Sequence, residues 1–403
     1  MRPSRRFGFA RKKVQKSTSR PRRWITRGVM AVGLVALAAV ASACGDGASG
    51  SSDQIVLGIS VPMSGAVGSS CKPMNEGMVA WFDHVNSSGG VHGKKLKIDT
   101  RDDNYQAANS VTNTRAFIAE KAVAVTGQCG SIQPPAQMPL LEAAKIPYLF
   151  VFGSCDPCNK DSMYFNLMPD YGVQLQKEIP WVFEHKGKGS VAIMTSATPG
   201  AAAITTNVED AVKKAGGTFV GSYSAPPGTA DMTPFVLKMK SKHPDYVVLN
   251  MTPQDAAVLT KAMTAQNFAP AKALVGSSAI SQASYLSNVS PSLYSKVIVS
   301  SDVAAPSAAT KTDCAAALKA AKVDINSVTL RGCGTAQVVV SALKAAKQPT
   351  SAGVVEALES WQNEKASEVY PPISFTKDNH IGVSNLYIFG VKDGEFNVIG
   401  QLS

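Results

Sequence analysis

The sequence predicts an α/β fold of two similar lobes, each a parallel sheet flanked by helices. Short apolar runs with strand-like patterns follow one another along the chain, separated by segments with helical apolar spacing. Strand–helix alternation of this kind produces parallel sheets. The pattern restarts near Asp170 and continues for about 130 residues, so we expect a second lobe of similar size.

The first elements establish this pattern. A strand is predicted at 55–61, where a continuous apolar run ends in a turn. A helix is predicted over 73–87, and Gly89 and Gly90 can adopt the positive φ that ends it. A second strand at 95–101 follows, because apolar and polar residues alternate there.

The remaining elements continue the alternation as far as residue 299, and a largely helical stretch then precedes the last strands. The further helices are predicted at 106–120, 134–144, 173–185, 201–215, 233–242, 254–267, 313–322, 335–347 and from about 351. The further strands are predicted at 122–126, 148–152, 164–168, 191–195, 218–223, 246–250, 297–299, 373–375 and 386–391.

An ordered set of motifs occurs near the start of the first lobe. It consists of a strand, Pro62-Met63-Ser64-Gly65, a helix, Asn86-x-x-Gly89-Gly90-Val91-x-Gly93, a strand and Asp102-Asp103. This set resembles the type I solute-binding proteins of ABC transporters, and most closely those for branched-chain amino acids and amides. The resemblance spans about 54–400 and implies the periplasmic binding protein-like I fold, whose chain crosses a hinge three times.

The resemblance also implies lobe boundaries. Lobe 1 is expected to comprise 54–171 and 303–371, and lobe 2 to comprise 172–302 and 372–403. The helices between 305 and 370 would therefore rejoin lobe 1, and the closing strands would rejoin lobe 2.

The positive charge of the chain is concentrated at its start. The formal charge is +11, but eleven of the 40 basic residues and none of the 29 acidic ones lie in 1–43. The rest of the chain is therefore neutral, with 29 residues of each sign. A nucleic-acid surface needs clustered positive charge, and we expect no nucleic-acid partner.

Residues 1–43 are interpreted as a signal peptide. Its apolar part, Gly28–Ala43, has sixteen residues, near the length of a signal core and short for a membrane span. The following Cys44 resembles a lipobox cysteine, with Ala41 where leucine is usual, and cleavage after Ala43 without lipidation is the alternative. Residues 44–53 read as a flexible tether. We expect an exported protein on the outer face of the cytoplasmic membrane, and paired arginines leave both the general secretory and the twin-arginine export routes open.

Six cysteines remain besides Cys44, and an even number in an exported chain indicates disulfides. Fifteen pairings are possible, and the sequence does not choose among them. We favour Cys71–Cys129, whose loops follow neighbouring strands, Cys314–Cys333 in the C-terminal third, and Cys155–Cys158 as the remaining pair.

In an open parallel sheet, ligands bind where strands end and helices begin. That rule selects uncharged, hydroxyl-rich loops at 62–73, 127–133, 153–159, 196–200 and 250–254, with 276–281 as a sixth. The family resemblance implies a ligand-binding serine at Ser131 or Gly130, with capping of the next helix as the alternative role for Ser131. The candidate ligand contacts are Ser64, Gly130, Ser131, Ser154, Cys155, Thr198, Thr252 and Ser278. The second-lobe hydroxyls among them could equally be solvated loop groups.

The Cys155-Asp156-Pro157-Cys158 segment has two interpretations. The family has a small, hydroxyl-containing turn here that binds the ligand, and Ser154 and Cys155 occupy it. The same spacing also occurs in thiol–disulfide oxidoreductases, in which a helix directly after the second cysteine lowers a thiol pKa. The residues after Cys158 lack helical spacing, which favours a structural disulfide.

The second lobe departs from the family pattern. Amino-acid binders have a carboxylate near 276–279 for the ligand ammonium, and this chain has Ser277 or Ser278 there. A free amino acid is therefore a doubtful ligand unless Asp156 or Glu76 supplies the charge, because an unpaired buried ammonium is unfavourable. Uncharged polar solutes or small carboxylates fit the expected cleft better.

These observations predict a binding protein and not an enzyme. We expect a monomer that captures a small polar solute by hinge closure and delivers it to an ABC permease. A sensing module for a receptor or kinase is the alternative, and a thiol oxidoreductase using Cys155 and Cys158 a more distant one. The five histidines form no ligand-spaced set, so we predict no metal and no cofactor.

Overall fold

Two sheets organise the part of the chain that the structure, a computed structural model, describes: residues 54–304 and 311–402. The predicted signal peptide, the Cys44 lipidation site and the tether at 44–53 lie outside these residues. The described residues form one compact unit, so the two sheets can be related to each other directly.

The first sheet has five parallel strands in the order β2-β1-β3-β4-β5. The first strand of the chain lies inside this sheet between two neighbours, and its Leu57, Ile59 and Val61 have no exposed surface. This is typical of a parallel strand covered on both faces. The strands are β1 Gln54–Val61, β2 Lys95–Asp102, β3 Ala124–Thr126, β4 Tyr148–Leu149 and β5 Tyr164–Phe165.

The second sheet has seven strands in the order β12-β11-β10-β9-β8-β6-β7. Strands β6 to β10 are parallel, whereas β11 runs antiparallel to β10 and β12 antiparallel to β11. The strands are β6 Ser190–Ser196, β7 Thr218–Ala225, β8 Tyr246–Asn250, β9 Ala273–Gly276, β10 Val297–Ser301, β11 Leu386–Lys392 and β12 Glu395–Leu402. The prediction of two mostly parallel sheets is therefore confirmed.

Three strand predictions need correction. Residues 373–375 form no strand, because Ile373 exchanges backbone hydrogen bonds only with Glu364 in an isolated bridge. The predicted strands at 148–152 and 164–168 each shorten to two residues. Strands β9 and β12 were not predicted, although both complete the second sheet.

Eleven helices flank the sheets in the described residues. They are α1 Gly68–Ser87, α2 Ala107–Ala119, α3 Pro134–Ala144, α4 Tyr171–Lys186, α5 Ala201–Lys214, α6 Thr233–Lys240, α7 Pro253–Ala265, α8 Ala283–Leu286, α9 Asp313–Ala320, α10 Ser327–Ala345 and α11 Ser351–Glu359. Helix α10 begins eight residues before its predicted start at 335, because Asn326 and Thr329 form a reciprocal capping box. Within the described ranges, no helix has the length and apolar character needed to cross a bilayer.

Helix α10 packs closely on α1, although the whole second sheet apart from its last two strands separates them in the chain. Two glycines allow this approach. A Cβ at Gly332 would overlap the Met74 carbonyl oxygen, and one at Gly77 would overlap that of Thr329. We call the first sheet with α1–α3 and α9–α11 the first lobe, and the second sheet with α4–α8 the second lobe.

Three disulfides connect the cysteines of the described residues, in the three pairs that the sequence analysis favours. Cys71 of α1 joins Cys129 after β3, Cys155 joins Cys158, and Cys314 of α9 joins Cys333 of α10. All three lie in the first lobe, so covalent cross-links constrain only one side of the molecule.

Candidate functional site

A cavity of about 70 Å³ lies between the two lobes, where strands of both sheets end. Its first-lobe lining is Val67, Ser70, Cys71, Tyr105, Cys129, Gly130, Ser131, Phe152 and Ser154. Its second-lobe lining is Tyr171, Ser196, Thr198, Gly200, Ile204, Asn250, Met251, Thr252, Pro253, Ala279 and Gln282. No acidic or basic side chain is among these lining residues, so the wall combines hydroxyls and amides with apolar groups.

Four helices begin at this cavity. Helix α1 starts directly after Val67, α4 at Tyr171, α5 after Gly200 and α7 after Thr252. The first N–H groups of a helix have no intrahelical partner and carry the positive end of its dipole. Some of these groups are already bonded, since the Ala201 N–H donates to the Thr198 carbonyl and the Asp255 N–H to the Thr252 hydroxyl. The helix starts therefore contribute the positive ends of their dipoles, while the lining side chains contribute no formal charge.

Two loops of the first lobe are joined at the predicted serine. Ser131 Oγ accepts the Ser154 N–H at 2.8 Å, and the Gly130 N–H donates to the Phe152 carbonyl at 2.8 Å. Gly130 has φ +122°, and a Cβ there would overlap the Tyr105 ring. Ser131 does not cap the next helix, because Gln133 is the N-cap residue of α3.

A buried carboxylate, Asp103, holds these loops in place through hydrogen bonds. Asp103 accepts hydrogen bonds from the Ser60 hydroxyl, the Gln128 and Gln133 amides and the Tyr105 N–H, at 2.9–3.2 Å. Burial raises the pKa of Asp103, and the bonds from Gln133, Ser60, Gln128 and Tyr105 oppose that rise. The sequence analysis treated Asp103 only as part of the motif that ends a strand, and the charged neighbours Asp99, Arg101 and Asp102 hide any sequence signal for its burial.

A second carboxylate, Asp170, holds the Ser154 turn. The Ser154 hydroxyl donates to Asp170 at 2.6 Å and the Cys155 N–H donates at 2.9 Å. Ser154 lines the cavity, whereas Cys155 is buried in its disulfide and does not. A short 3-10 turn follows at Asp156–Lys160 in place of the helix that a thiol oxidoreductase requires.

Two of the three second-lobe candidates line the cavity and one does not. Thr198 and Thr252 line the cavity, and Thr252 also caps α7 by accepting the Asp255 N–H at 3.1 Å. Ser278 is fully buried outside the lining, and its N–H donates to Gln174 at 3.0 Å.

Ser64 also lies outside the cavity. It is exposed, and its hydroxyl donates to Asp102 at 2.5 Å. Five of the eight predicted contacts therefore meet at the cavity: Gly130, Ser131, Ser154, Thr198 and Thr252. Glu76, a suggested charge partner, does not line it and lies 3.9 Å from Lys72, and the Asp156 side chain is not among the described groups.

One side chain bridges the cleft directly. Gln254, in the first turn of α7, donates its amide to Ser69 Oγ at 2.8 Å and to Ser70 Oγ at 2.7 Å, both in α1. The two lobes therefore touch through polar groups at the edge of the cavity, as in a closed form. The sequence analysis selected both loops, but it did not predict this contact or the lining residues Tyr105 and Gln282, which lie outside the selected loops.

The tyrosines of the lining stay protonated at neutral pH. Burial raises the pKa of Tyr105 to about 12, with a further contribution from the negative charges of Asp255 and Asp103. Burial also raises the pKa of Tyr171. Neither hydroxyl adds a charge to the cavity.

A buried ion pair connects the lobes behind the cavity. Asp302, just after β10, accepts from Arg331 of α10, and the two side chains are 1% and 3% exposed. The Arg331 guanidinium lies 4.4 Å from the centre of the Phe152 ring, so Phe152 separates this cation from the cavity. Among the described residues, no group of three or more His, Cys, Asp or Glu side chains is placed to hold a metal ion.

Comparison with known proteins gives consistent similarities. Residues 54–395 match the family described as periplasmic binding protein. A curated relative, Leu/Ile/Val-binding protein homolog 8 of Brucella abortus, is 25% identical over 217 residues, which are 51% of this chain and 53% of the relative. The chain thus spans about half the length of that relative.

Solved structures share the fold over most of the chain. A fatty acid ABC transporter substrate-binding protein from Thermomonospora curvata superposes with a TM-score of 0.77 at 20% identity, covering 87% of this chain and 92% of the other. A branched chain amino acid ABC transporter protein from Thermus thermophilus with bound valine superposes with a TM-score of 0.78 at 17% identity, covering 87% and 96%.

Proposed function

Since the chain belongs to the periplasmic binding protein family, we propose that it is the extracytoplasmic substrate-binding lipoprotein of an ABC importer. It captures a small polar solute, of the amino acid, amide or small organic acid class, between its lobes. The observation that carries this proposal is the cavity between the two sheets, lined by both lobes and free of charged side chains.

Hinge closure is the proposed mechanism. A solute that contacts both walls binds the closed form better than the open one, and shifts the equilibrium by that difference. The chain would bend where it passes between lobes, near residues 171, 302 and 371. The Gln254 contact with α1 forms only when the walls meet, and it supports the interpretation of this structure as closed.

The relatives support a small-molecule role. One neighbour holds valine and another is named for fatty acids, so this fold accommodates both zwitterionic and apolar solutes. We propose that Gly130, Ser131, Ser154, Thr198 and Thr252 contact the solute here. Ser64, Cys155 and Ser278 would act indirectly, by fixing the loops to which they belong.

Export and anchoring complete the proposal. Cleavage after Ala43 and lipidation of Cys44 would tether the body through residues 44–53, beside the permease on the outer face of the cytoplasmic membrane. Mass spectrometry of the protein released from membranes tests this step, because a diacylated N-terminal cysteine has a defined mass. An unmodified Ala43–Cys44 bond would contradict it.

The decisive test is a thermal-shift screen over amino acids, amides, ureas and small organic acids. A solute that binds only the folded protein raises its melting temperature. Replacing Thr198 by valine should then weaken binding of that solute by up to about tenfold, the value of one hydrogen bond. Thr206→Val, on the exposed side of α5, is the matched control. If no compound in the panel shifts the melting temperature, the proposal is wrong.

A further inference from the structure

The hydroxyls of the cavity wall point to the chemistry of the solute. Building on the proposed function, we propose that the solute presents a carbonyl or carboxylate oxygen and an apolar body, and that it has no ammonium group. Three features of the wall carry this inference: the role already assigned to each serine, the position of the nearest carboxylates, and the apolar lining.

Three lining serines already act as acceptors. Ser70 Oγ accepts from the Gln254 amide at 2.7 Å, Ser131 Oγ accepts the Ser154 N–H at 2.8 Å, and Ser196 Oγ accepts the Thr252 N–H at 3.3 Å. A hydroxyl has one proton to donate, and among the described residues none of the three hydroxyls has an acceptor for it. Each can therefore donate to a solute.

The Asn250 side chain is also placed to donate hydrogen bonds to a solute. Its amide oxygen accepts the Ser277 hydroxyl at 2.7 Å, which leaves its two N–H groups as the part available to a solute. Ser154 is the exception among the serines, because its hydroxyl donates to Asp170. The hydroxyl protons of Ser70, Ser131 and Ser196 and the Asn250 amide together give the wall side-chain donors from both lobes, and such a wall binds an acceptor oxygen.

The nearest carboxylates are not available to an ammonium. Asp103 and Asp170 accept hydrogen bonds from the loops that they support, on the far side of the lining. Asp255 accepts the Thr252 hydroxyl at 2.8 Å and the Gly228 N–H at 2.9 Å, and it does not line the cavity. A buried ammonium needs a directly paired anion, and the described lining offers none.

The remaining wall is apolar. Val67, Phe152, Ile204 and Met251 line the cavity together with the Cys71–Cys129 disulfide. These groups gain from contact with an apolar body, because both surfaces leave water. A head group that bonds to donors and a hydrocarbon body that packs on this surface together describe the solute.

Matched pairs of compounds test the inference on the mature protein. Each pair has one carbon skeleton with and without an α-amino group: propanoate and alanine, 3-methylbutanoate and valine, 3-phenylpropanoate and phenylalanine, with 3-methylbutanamide as a neutral member. Titration calorimetry should show binding of a carboxylate or amide at least 100-fold tighter than that of its amino counterpart. If the amino members bind equally or better, this inference is overturned while the transport proposal stands. If no member binds while a compound of another class in the thermal-shift screen does, this inference is overturned and the transport proposal stands; if the whole screen gives no ligand, both fail.

A charge placed in the wall gives a second test. Gln282 lines the cavity and is 2% exposed, and Gln282→Glu adds a carboxylate without changing the side-chain size. We expect it to improve the affinity for the amino member of the best pair, relative to its deamino partner, by at least tenfold. Gln401→Glu, exposed on the edge strand β12, is the control and should leave the ratio unchanged. An unchanged ratio in Gln282→Glu would overturn the inference.

Discussion

The two walls of the cavity differ in how they are held. In the first lobe, Cys71 and Cys129 are joined covalently within the lining, and Asp103 and Asp170 fix the loops beside them. In the second lobe, the lining has no disulfide, and a helix cap and hydroxyl–amide contacts such as Ser277–Asn250 hold it. The first wall is therefore preorganised, whereas the second can adjust with less resistance.

The two walls are therefore expected to contribute differently to affinity and to specificity. A preorganised wall loses little entropy when a solute arrives, so the first lobe is suited to initial capture. The second lobe lines the same cavity with Thr198, Asn250 and Gln282, and under the proposed hinge closure it would adjust to the solute as the lobes approach. Differences in solute preference among similar proteins should therefore map mainly to second-lobe residues.

The largest effect is expected at the ion pair that connects the two lobes. Asp302→Ala leaves the Arg331 guanidinium buried and unpaired, and should lower the free energy of unfolding by about 3–5 kcal/mol. Chemical denaturation measures this change. The double variant Asp302→Leu/Arg331→Met removes both charges and should recover most of the loss. A loss under about 1 kcal/mol in the single variant would mean that the pair does not fasten the lobes.

A smaller effect tests the rigidity of the first wall. Replacing Cys71 and Cys129 by serine opens a loop spanning 58 residues, and should lower stability by about 2–4 kcal/mol. Affinity for the identified solute should fall too, because α1 and the Ser131 loop lose their link. The Cys155→Ser/Cys158→Ser variant, whose cysteines are three residues apart, is the control and should lose less. Equal losses in the two variants would contradict the account.

The smallest effect concerns a buried acid of the second lobe. Glu178 of α4 has no exposed surface, and neither carboxylate oxygen has a partner of normal geometry, although Ser300 faces it. Burial raises the pKa of Glu178 well above 4.5. The folded protein therefore binds more protons than the unfolded one, and stability should fall as pH rises above about 4.5.

Glu178→Gln should flatten this decline. The variant should be more stable than the parent by about 1–2 kcal/mol at pH 8 and should lose that advantage near pH 4. Thermal melts across this pH range measure it. Glu184→Gln, exposed on the same helix, is the control. Parallel curves for the parent and Glu178→Gln would show that Glu178 does not titrate between the folded and unfolded states.

Much of the fold follows from local signals. Helix α3 has its predicted bounds because Pro134 marks its start, and β8 has its predicted bounds because its apolar run is sharply delimited. The wrong strand at 373–375 has a tertiary origin. Phe375 is buried against Phe150 and Phe165 of the first lobe. The apolar alternation at 373–375 therefore reflects side-chain packing and not hydrogen-bonded pairing with a neighbouring strand.

The sequence predicts which loops line the cavity, but it does not predict which side chains of those loops face it. The rule that ligands bind at strand ends selects the loops of Ser131, Ser154, Thr198 and Thr252 correctly as lining. It cannot show that the Ser278 hydroxyl faces the Met168 sulfur and not the cavity, because that depends on a residue 110 positions away in the chain.

The Gln254 bridge has a kinetic consequence. Its bonds to Ser69 and Ser70 involve no solute. A contact within the protein therefore stabilises the closed form even when no solute is bound. Under the proposed hinge closure, a vacant molecule would spend a fraction of its time closed, and an arriving solute would meet fewer open copies, which would weaken the apparent affinity by that fraction. A stronger Gln254 contact would lower the apparent affinity for solute at low concentration and would also slow the release of bound solute from the closed form.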